Sequence, residues 1–243
     1  MKEINARNKR VLIISDSHLP YQHKDMHKFL AAIKEKYLDK NSIILHIGDE
    51  LDKHAISFHK SDVELFSAGH ELEKSIEILH MSGGLYEMFP KMYLLESNHG
   101  SLVYRRAKAD GIPLRYYKSY KQVLETPKWS WHDEIILNTK LGKVYLCHGK
   151  TGSYGKLCKE QAMSAIQGHF HGKFEITWHS SSTTSRFNMF IGCLIDQQSL
   201  AFAYGKNSTQ KPILGVGMLS REGYPRLIKM NLNNKGRWDG KLP

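Results

Sequence analysis

Five short polar clusters carry side chains able to bind a metal: Asp16-Ser17-His18, Gly48-Asp49-Glu50-Leu51-Asp52, Asn98-His99, His148-Gly149 and Gly168-His169-Phe170-His171. Their donors are carboxylate, amide oxygen and imidazole without thiolate, a set that suits Mn, Fe or Zn better than a soft-metal site. In an extended backbone Asp16 and His18 point the same way. Gly48 lets the main chain beside Asp49 approach an ion closely. Each cluster alone is common by chance. Five of them in this order, each directly behind an apolar run, are hard to explain as coincidence.

The elements that must position these clusters follow from the apolar pattern. Residues 11–14 are a continuous apolar run of the buried-strand kind, ending abruptly at the first cluster. Residues 25–37 place Met26, Phe29, Leu30 and Ile33 at helical spacing with Asp25 as cap, and residues 43–47 give a second strand that ends at Gly48. A helical pattern over 62–88 is interrupted by Gly69 and Gly83-Gly84, which allows two helices. Residues 93–95 form a third strand ahead of Asn98, and a helix follows over 102–109 until Gly111 and Pro113. Beyond Pro127 the segments 134–138, 144–147, 166–168, 174–178, 188–191, 213–218 and 227–230 read as strands. The carboxyl ends of adjacent strands in an open α/β sheet converge on one crevice, which would gather the clusters.

With 243 residues and 41% hydrophobic content, the chain can bury one substantial core, and a single domain over 1–243 is expected. Its longest early aliphatic run, Val11–Ile14, is far too short for a membrane span or secretory signal, so no membrane partner and a cytoplasmic location are expected. Cys147, Cys158 and Cys193 form no CxxC pair and indicate neither a disulfide framework nor a thiolate zinc site. The formal charge of +11 favours association with polyanions without saying which. Among the 14 histidines, His46, His54, His59, His70, His80, His132 and His179 adjoin no strand-end cluster in the same manner and are assigned to core or surface. His23 and His27 are assigned to a loop and a helix surface. Gly149-Lys150-Thr151 lacks the upstream glycine of a nucleotide-binding loop, and Lys74 stands where a zinc-protease helix needs its second histidine. The oligomeric state is left open.

The order Asp-x-His, Gly-Asp-x-x-Asp, Asn-His, His-Gly, Gly-His-x-His resembles the calcineurin-like metallophosphoesterase family over residues 11–171. The resemblance implies an α/β fold, a four-layer sandwich of two mixed β-sheets flanked by helices. It implies that Asp16, His18 and His171 hold one metal, that Asn98, His148 and His169 hold a second, and that Asp49 bridges them. His99 is similar to a non-ligand histidine that protonates the leaving oxygen or stabilises phosphoryl charge, and Asp52 to the carboxylate that orients it. Two departures stand out: Ser97 where the family usually has glycine, and Gly100 where it usually has an acidic residue. Residues 96–101, 192–196 and 199–204 look like a small phage-encoded branch, with the host cytoplasm as compartment.

Two divalent cations ~3.5–4 Å apart activate a shared water and clamp both oxygens of an in-line displacement, so direct attack without a phosphoenzyme is expected. Manganese is the favoured metal, iron or zinc the alternatives. The expected activity is hydrolysis of nucleotide phosphate esters, with deoxynucleoside 5'-monophosphates first because the roughly seventy residues after His171 read mostly as completion of the sheet and not as a separate DNA-binding cap. The alternatives are a DNA exo- or endonuclease using the same centre, with Arg105, Arg106, Arg115, Tyr116, Tyr117 and Lys118 tracking a strand, and a catalytically idle phosphate- or nucleic-acid-binding module. Arg105 and Arg106 are candidate substrate contacts, although paired arginines on a helix often form a solvated face.

Overall fold

Strong apolar runs form the sheets, and amphipathic stretches form the main helices. The computed structural model describes residues 1–58, 64–196 and 211–243. Its first half holds β1 (Lys2–Asn5), β2 (Val11–Ile14), α1 (Met26–Tyr37), β3 (Ile43–His46), α2 (Ala68–His80), α3 (Leu85–Met88), β4 (Met92–Leu95) and α4 (Leu102–Ala109). Then come α5 (Tyr120–Val123), β5 (Trp129–His132), β6 (Ile135–Thr139), β7 (Gly142–Cys147), α6 (Lys156–Glu160), β8 (Ser164–Gln167), β9 (Phe174–Ser180), β10 (Ser185–Ile191), β11 (Gly215–Leu219) and β12 (Pro225–Lys229).

The strands make two six-stranded sheets, ordered β12-β11-β2-β3-β4-β5 and β1-β6-β7-β8-β10-β9. Both are mixed. In the first, β2, β3, β4 and β5 run parallel, while β11 pairs antiparallel with both β2 and β12. In the second, β1 pairs β6, β7 pairs β8 and β8 pairs β10 in parallel, and the other ladders are antiparallel.

Strand β2 shows why the sequence is apolar without alternation, for each face meets a different layer. Val11 and Ile13 join Leu45, Leu137, Leu146 and Met189 in the core between the sheets. Leu12 and Ile14 face outward onto Met26, Phe29, Leu30 and Ile33 of α1 and onto Leu79 of α2. A smaller cluster of Tyr145, Cys147 and Ala165 with Leu157 and Cys158 covers the outer face of the second sheet with α6. The result is the expected four-layer sandwich of two mixed sheets flanked by helices.

The structure corrects several local expectations. Residues 1–10, polar and basic and without a strand pattern in the sequence, contain strand β1, whose Ile4 is buried against the inter-sheet core. Helix α2 starts at Ala68, where the Ser67 side chain accepts from the His70 amide, so Phe66 lies outside it. Residues 59–63, and with them His59, Asp62 and Val63, lie outside the described residues, as does the segment 199–204. Strand β5 and helices α5 and α6 had no counterpart in the apolar pattern. The three cysteines are free and buried. No helix among the described residues is long and apolar enough to cross a membrane.

Candidate metal centre

Every cluster sits at the carboxyl end of a strand. Asp16 and His18 follow β2, Asp49 and Asp52 follow β3, and Asn98 and His99 follow β4, three parallel neighbours in one sheet. His148 follows β7, and His169 and His171 follow β8, parallel neighbours in the other. Main-chain bonds stitch the loops together: Asp16 N donates to Gly48 O at 3.0 Å, His18 N to Asp49 O at 2.9 Å, and Gly168 N to His148 O at 2.7 Å.

These loops adopt unusual backbone conformations. Asp16, His18, Asp49 and His169 have φ of 52°, 48°, 54° and 66°, in the left-handed region that side-chain-bearing residues avoid. Such conformations persist where surrounding structure over-determines them, and they cluster at functional sites. Close approach also demands glycine here. A Cβ on Gly48 (φ 104°) would stand 2.6 Å from His148 Nδ1 and from Ser97 Cβ, and one on Gly168 would stand 1.9 Å from Ser15 Oγ.

The donor atoms form a continuous chain. His171 Nε2 lies 2.9 Å from Asp16 Oδ1, which lies 3.8 Å from His18 Nε2. His18 Nε2 is 3.7 Å from Asp49 Oδ2, which is 3.0 Å from His148 Nε2. His148 Nε2 is 2.8 Å from Asn98 Oδ1, which is 3.2 Å from His169 Nδ1. Asp49 stands in the middle, with three donors on one side and three on the other. Asp16, His18 and His171 bring one ligand atom each within 4.8 Å of one another, as do Asp49, His148 and His169, and also His18, Asp49 and His99.

Electrostatics indicate what the space can hold. Burial works against the charge of the Asp16 carboxylate, yet His171 and His18 hold it well below its ordinary range. Asp49 is likewise buried and held low, chiefly by His148. Burial pushes His18 down, but Asp16 and Asp52 outweigh it and raise the imidazole to about 10. His148 rises to about 9 against burial, through Asp49. Carboxylates kept charged, with imidazoles that draw protons between them, mark a space that favours positive charge. Together with the oxygen and nitrogen donor set, this fits two divalent cations.

Outer contacts fix the imidazole tautomers. His148 Nδ1 donates to Ile47 O at 2.9 Å, and its Nε2 faces Asp49 and Asn98. His18 Nδ1 is 2.7 Å from Asp52 Oδ1. His99 Nδ1 donates to the Asp52 carbonyl oxygen, whereas the Asp52 carboxylate is 3.7 Å away. Asp52 thus orients His99 through its main chain and grips His18 with its side chain. Both arginines hold backbone: Arg105 Nη2 donates to Asn98 O at 2.7 Å, and Arg106 donates to Ile56 O and Ser57 O. Phe58 lies under both guanidinium groups.

Other supporting residues escaped the sequence pattern. His46, assigned above to core or surface, is fully buried, and its Nε2 is 2.5 Å from the hydroxyl of Ser17, the residue between Asp16 and His18. Its place two residues ahead of Gly48 was the available signal. Ser97 Oγ accepts from Asp49 N at 3.0 Å and Gly100 N at 2.9 Å, so the first departure from the family pattern makes its own loop contacts. Leu194 N donates to Asp16 O at 2.9 Å, which braces the first cluster with the segment 192–196.

No family model and no curated protein matches this chain. Among solved structures it is similar to vacuolar protein sorting 29 from Cryptosporidium parvum, with 15% identity, 97% of this chain and 94% of that one covered, and a TM-score of 0.51. It is also similar to a novel archaeal phosphodiesterase, at 14% identity over 90% and 99% of the chains with a TM-score of 0.46. A protein serine/threonine phosphatase from Saccharomyces cerevisiae matches at 10% identity over 96% and 84%, with a TM-score of 0.43. The first of these likenesses supports the calcineurin-like sandwich, and it concerns the fold alone.

Proposed function

We propose that the chain is a phosphohydrolase that works with two divalent cations on nucleotide phosphate esters, deoxynucleoside 5'-monophosphates first. The observation that carries this reading is the unbroken run of donors from His171 to His169 with Asp49 at its centre. In this reading Asp16, His18 and His171 hold one ion, Asn98, His148 and His169 hold the other, and Asp49 bridges. When bound, the cations supply Lewis acidity to the phosphoryl oxygens and activate a water nucleophile. Manganese is the favoured metal, with iron or zinc as alternatives, and the chain is read as cytoplasmic and of the small phage-encoded branch.

The protein's own groups act around that centre. His99 keeps its Nδ1 proton on the Asp52 carbonyl, so Nε2 is the atom left to meet the leaving oxygen or the phosphoryl charge. Arg105, next to Asn98 on the exposed face of α4, is placed to neutralise an incoming phosphate. One surface feature favours a second reading as a nuclease. Tyr116 is 76% exposed between Arg115 and the Tyr117-Lys118 pair, a combination suited to stacking and tracking single-stranded DNA.

Turnover decides. The full chain supplied with Mn²⁺ should cleave an aryl phosphate, and Asp49→Asn and His99→Ala should each lower the rate by roughly 100-fold or more. Two variants with wild-type rates would sink the reading, and a wholly inactive wild type would leave only the binding module. Comparing deoxynucleoside monophosphates, a bis-aryl phosphate and linear DNA separates monoesterase from nuclease.

A further inference from the structure

Beside the metal centre the chain encloses a cavity of about 330 Å³, bounded by α2, α4, α5 and the residues flanking Asp52. The volume lies at the lower end of the roughly 300–1,000 Å³ typical of small-molecule pockets, too small for a peptide or a length of nucleic acid. Its wall is mainly aliphatic, with Leu72, Val103, Val123 and Leu124 contributing. Exposed Gly69 and Lys118 also line it, so it opens to solvent.

Its position ties it to the reaction. Leu51 and Lys53 belong to the wall and are the immediate neighbours of Asp52, which touches both His18 and His99. Val103 and Tyr104 belong to the first turn of α4, just past His99. Residues of the cavity wall thus flank Asp52 on one side and follow the Asn98-His99 loop on the other.

Its chemistry favours a ring over an alkyl chain. Tyr104 and Tyr120 lie 5.0 Å apart, centroid to centroid, tilted by 48°, and they offer aromatic surface to a planar guest. Lys53 Nζ is 5.1 Å from the centre of the Tyr120 ring. The Tyr120 hydroxyl is committed to Glu96 and to Gly100 O, whereas the Tyr104 hydroxyl has no hydrogen-bond partner among the described residues. A partly buried hydroxyl of that kind suits the polar edge of a heterocycle.

We infer that this cavity seats the organic group of the phosphoester, and that the group is an aromatic heterocycle of single-nucleobase size. The assignment rests on the phosphohydrolase reading above but is testable without turnover. The probes are thymidine and deoxyadenosine, which carry no phosphate, added to the full chain in EDTA and followed by saturation-transfer NMR. Saturable binding of one or both is expected, at least tenfold weaker in Leu72→Trp, which fills the cavity, and about threefold weaker in Tyr104→Phe. Val103→Phe replaces Leu72→Trp if circular dichroism shows that the tryptophan variant does not fold.

No binding by wild type, binding that is unchanged in the filled variant, or binding of decanoate in place of nucleosides would each overturn the assignment. Cavity-dependent nucleoside binding in a protein that hydrolyses no phosphoester would instead retire the enzyme reading and leave the heterocycle site standing.

Discussion

Asp52 touches two imidazoles by two different routes. The family resemblance pairs its carboxylate with His99, yet that carboxylate lies 2.7 Å from His18 Nδ1 and 3.7 Å from His99 Nδ1, which donates instead to the Asp52 main-chain carbonyl. A carboxylate behind a ligating histidine sets the tautomer and strengthens the ligand, and removing such a partner typically lowers metal affinity about 10–100-fold. Asp52→Asn should therefore weaken Mn²⁺ binding by about that factor in an EPR titration, while His99→Ala leaves affinity within about threefold. Equal affinity in wild type and Asp52→Asn would contradict the assignment. Ser97 gives a second prediction at this scale. Its buried hydroxyl serves the amides of Asp49 and Gly100, and the space around it requires glycine at 48 and 100, where a Cβ would stand 2.6 Å from Ser97 Cβ and 2.8 Å from Ser97 Oγ. Ser97→Ala strands both donors and should cost about 1–3 kcal/mol in a urea titration.

Between elements, the loops after β3 and β4 are held by a shared acceptor. Lys53 Nζ donates to Gly100 O at 2.5 Å and the Tyr120 hydroxyl donates to the same oxygen at 2.9 Å, so the loop after β3, α5 and the Asn98-His99 loop meet at one carbonyl. Lys53→Met and Tyr120→Phe should each lower stability by about 1 kcal/mol, or roughly 2–4 °C in Tm for a chain of this size. Because the donors share an acceptor, the double variant should depart from the sum by at least 0.5 kcal/mol, in order of magnitude; strict additivity would show that the carbonyl does not couple them. The same scale explains what the sequence made legible. The ends of β2, β3, β4, β7 and β8 were readable because buried strands stop abruptly where polar clusters begin, and the helical spacing of Met26, Phe29, Leu30 and Ile33 foretold the buried face of α1. Strand β1 escaped because only Ile4 of its four residues is buried, and β5 because Trp-Ser-Trp-His is too short to show a period by itself. α5 and α6 have four and five residues, less than the repeat a helical pattern needs. The links from His46 to Ser17 and from Asp52 to His18 span 29 and 34 residues, and no local pattern encodes such pairings.

Across the whole molecule, the C-terminal segment is clasped onto the start of α1, on the helical layer that backs the sheet of β2 and β3. Asp25, which the sequence offered as a helix cap, makes no side-chain cap bond to α1. Its carboxylate instead accepts from Arg237 Nε at 2.7 Å, Arg237 Nη2 at 2.5 Å and the Trp238 amide at 3.0 Å. Trp238 then packs edge-on to Phe29 at 5.5 Å, and His23 Nε2 donates to Gly236 O at 3.0 Å. The Arg237 guanidinium is the main reason the Asp25 carboxyl is lowered to about 2, with burial opposing it. An unfolded chain titrates aspartate near about 3.9, so the folded state binds fewer protons between those values, and the clasp's contribution is complete above about pH 5 and lost as the pH falls toward 2. Arg237→Gln removes the charge and the bidentate geometry together, and should lower the urea midpoint at pH 7. Urea midpoints at pH 7, 4 and 2.5 should show the gap between wild type and variant closing mainly over the last interval. A gap of constant size down to pH 2.5 would mean that the segment is held by Trp238 packing and not by the ion pair.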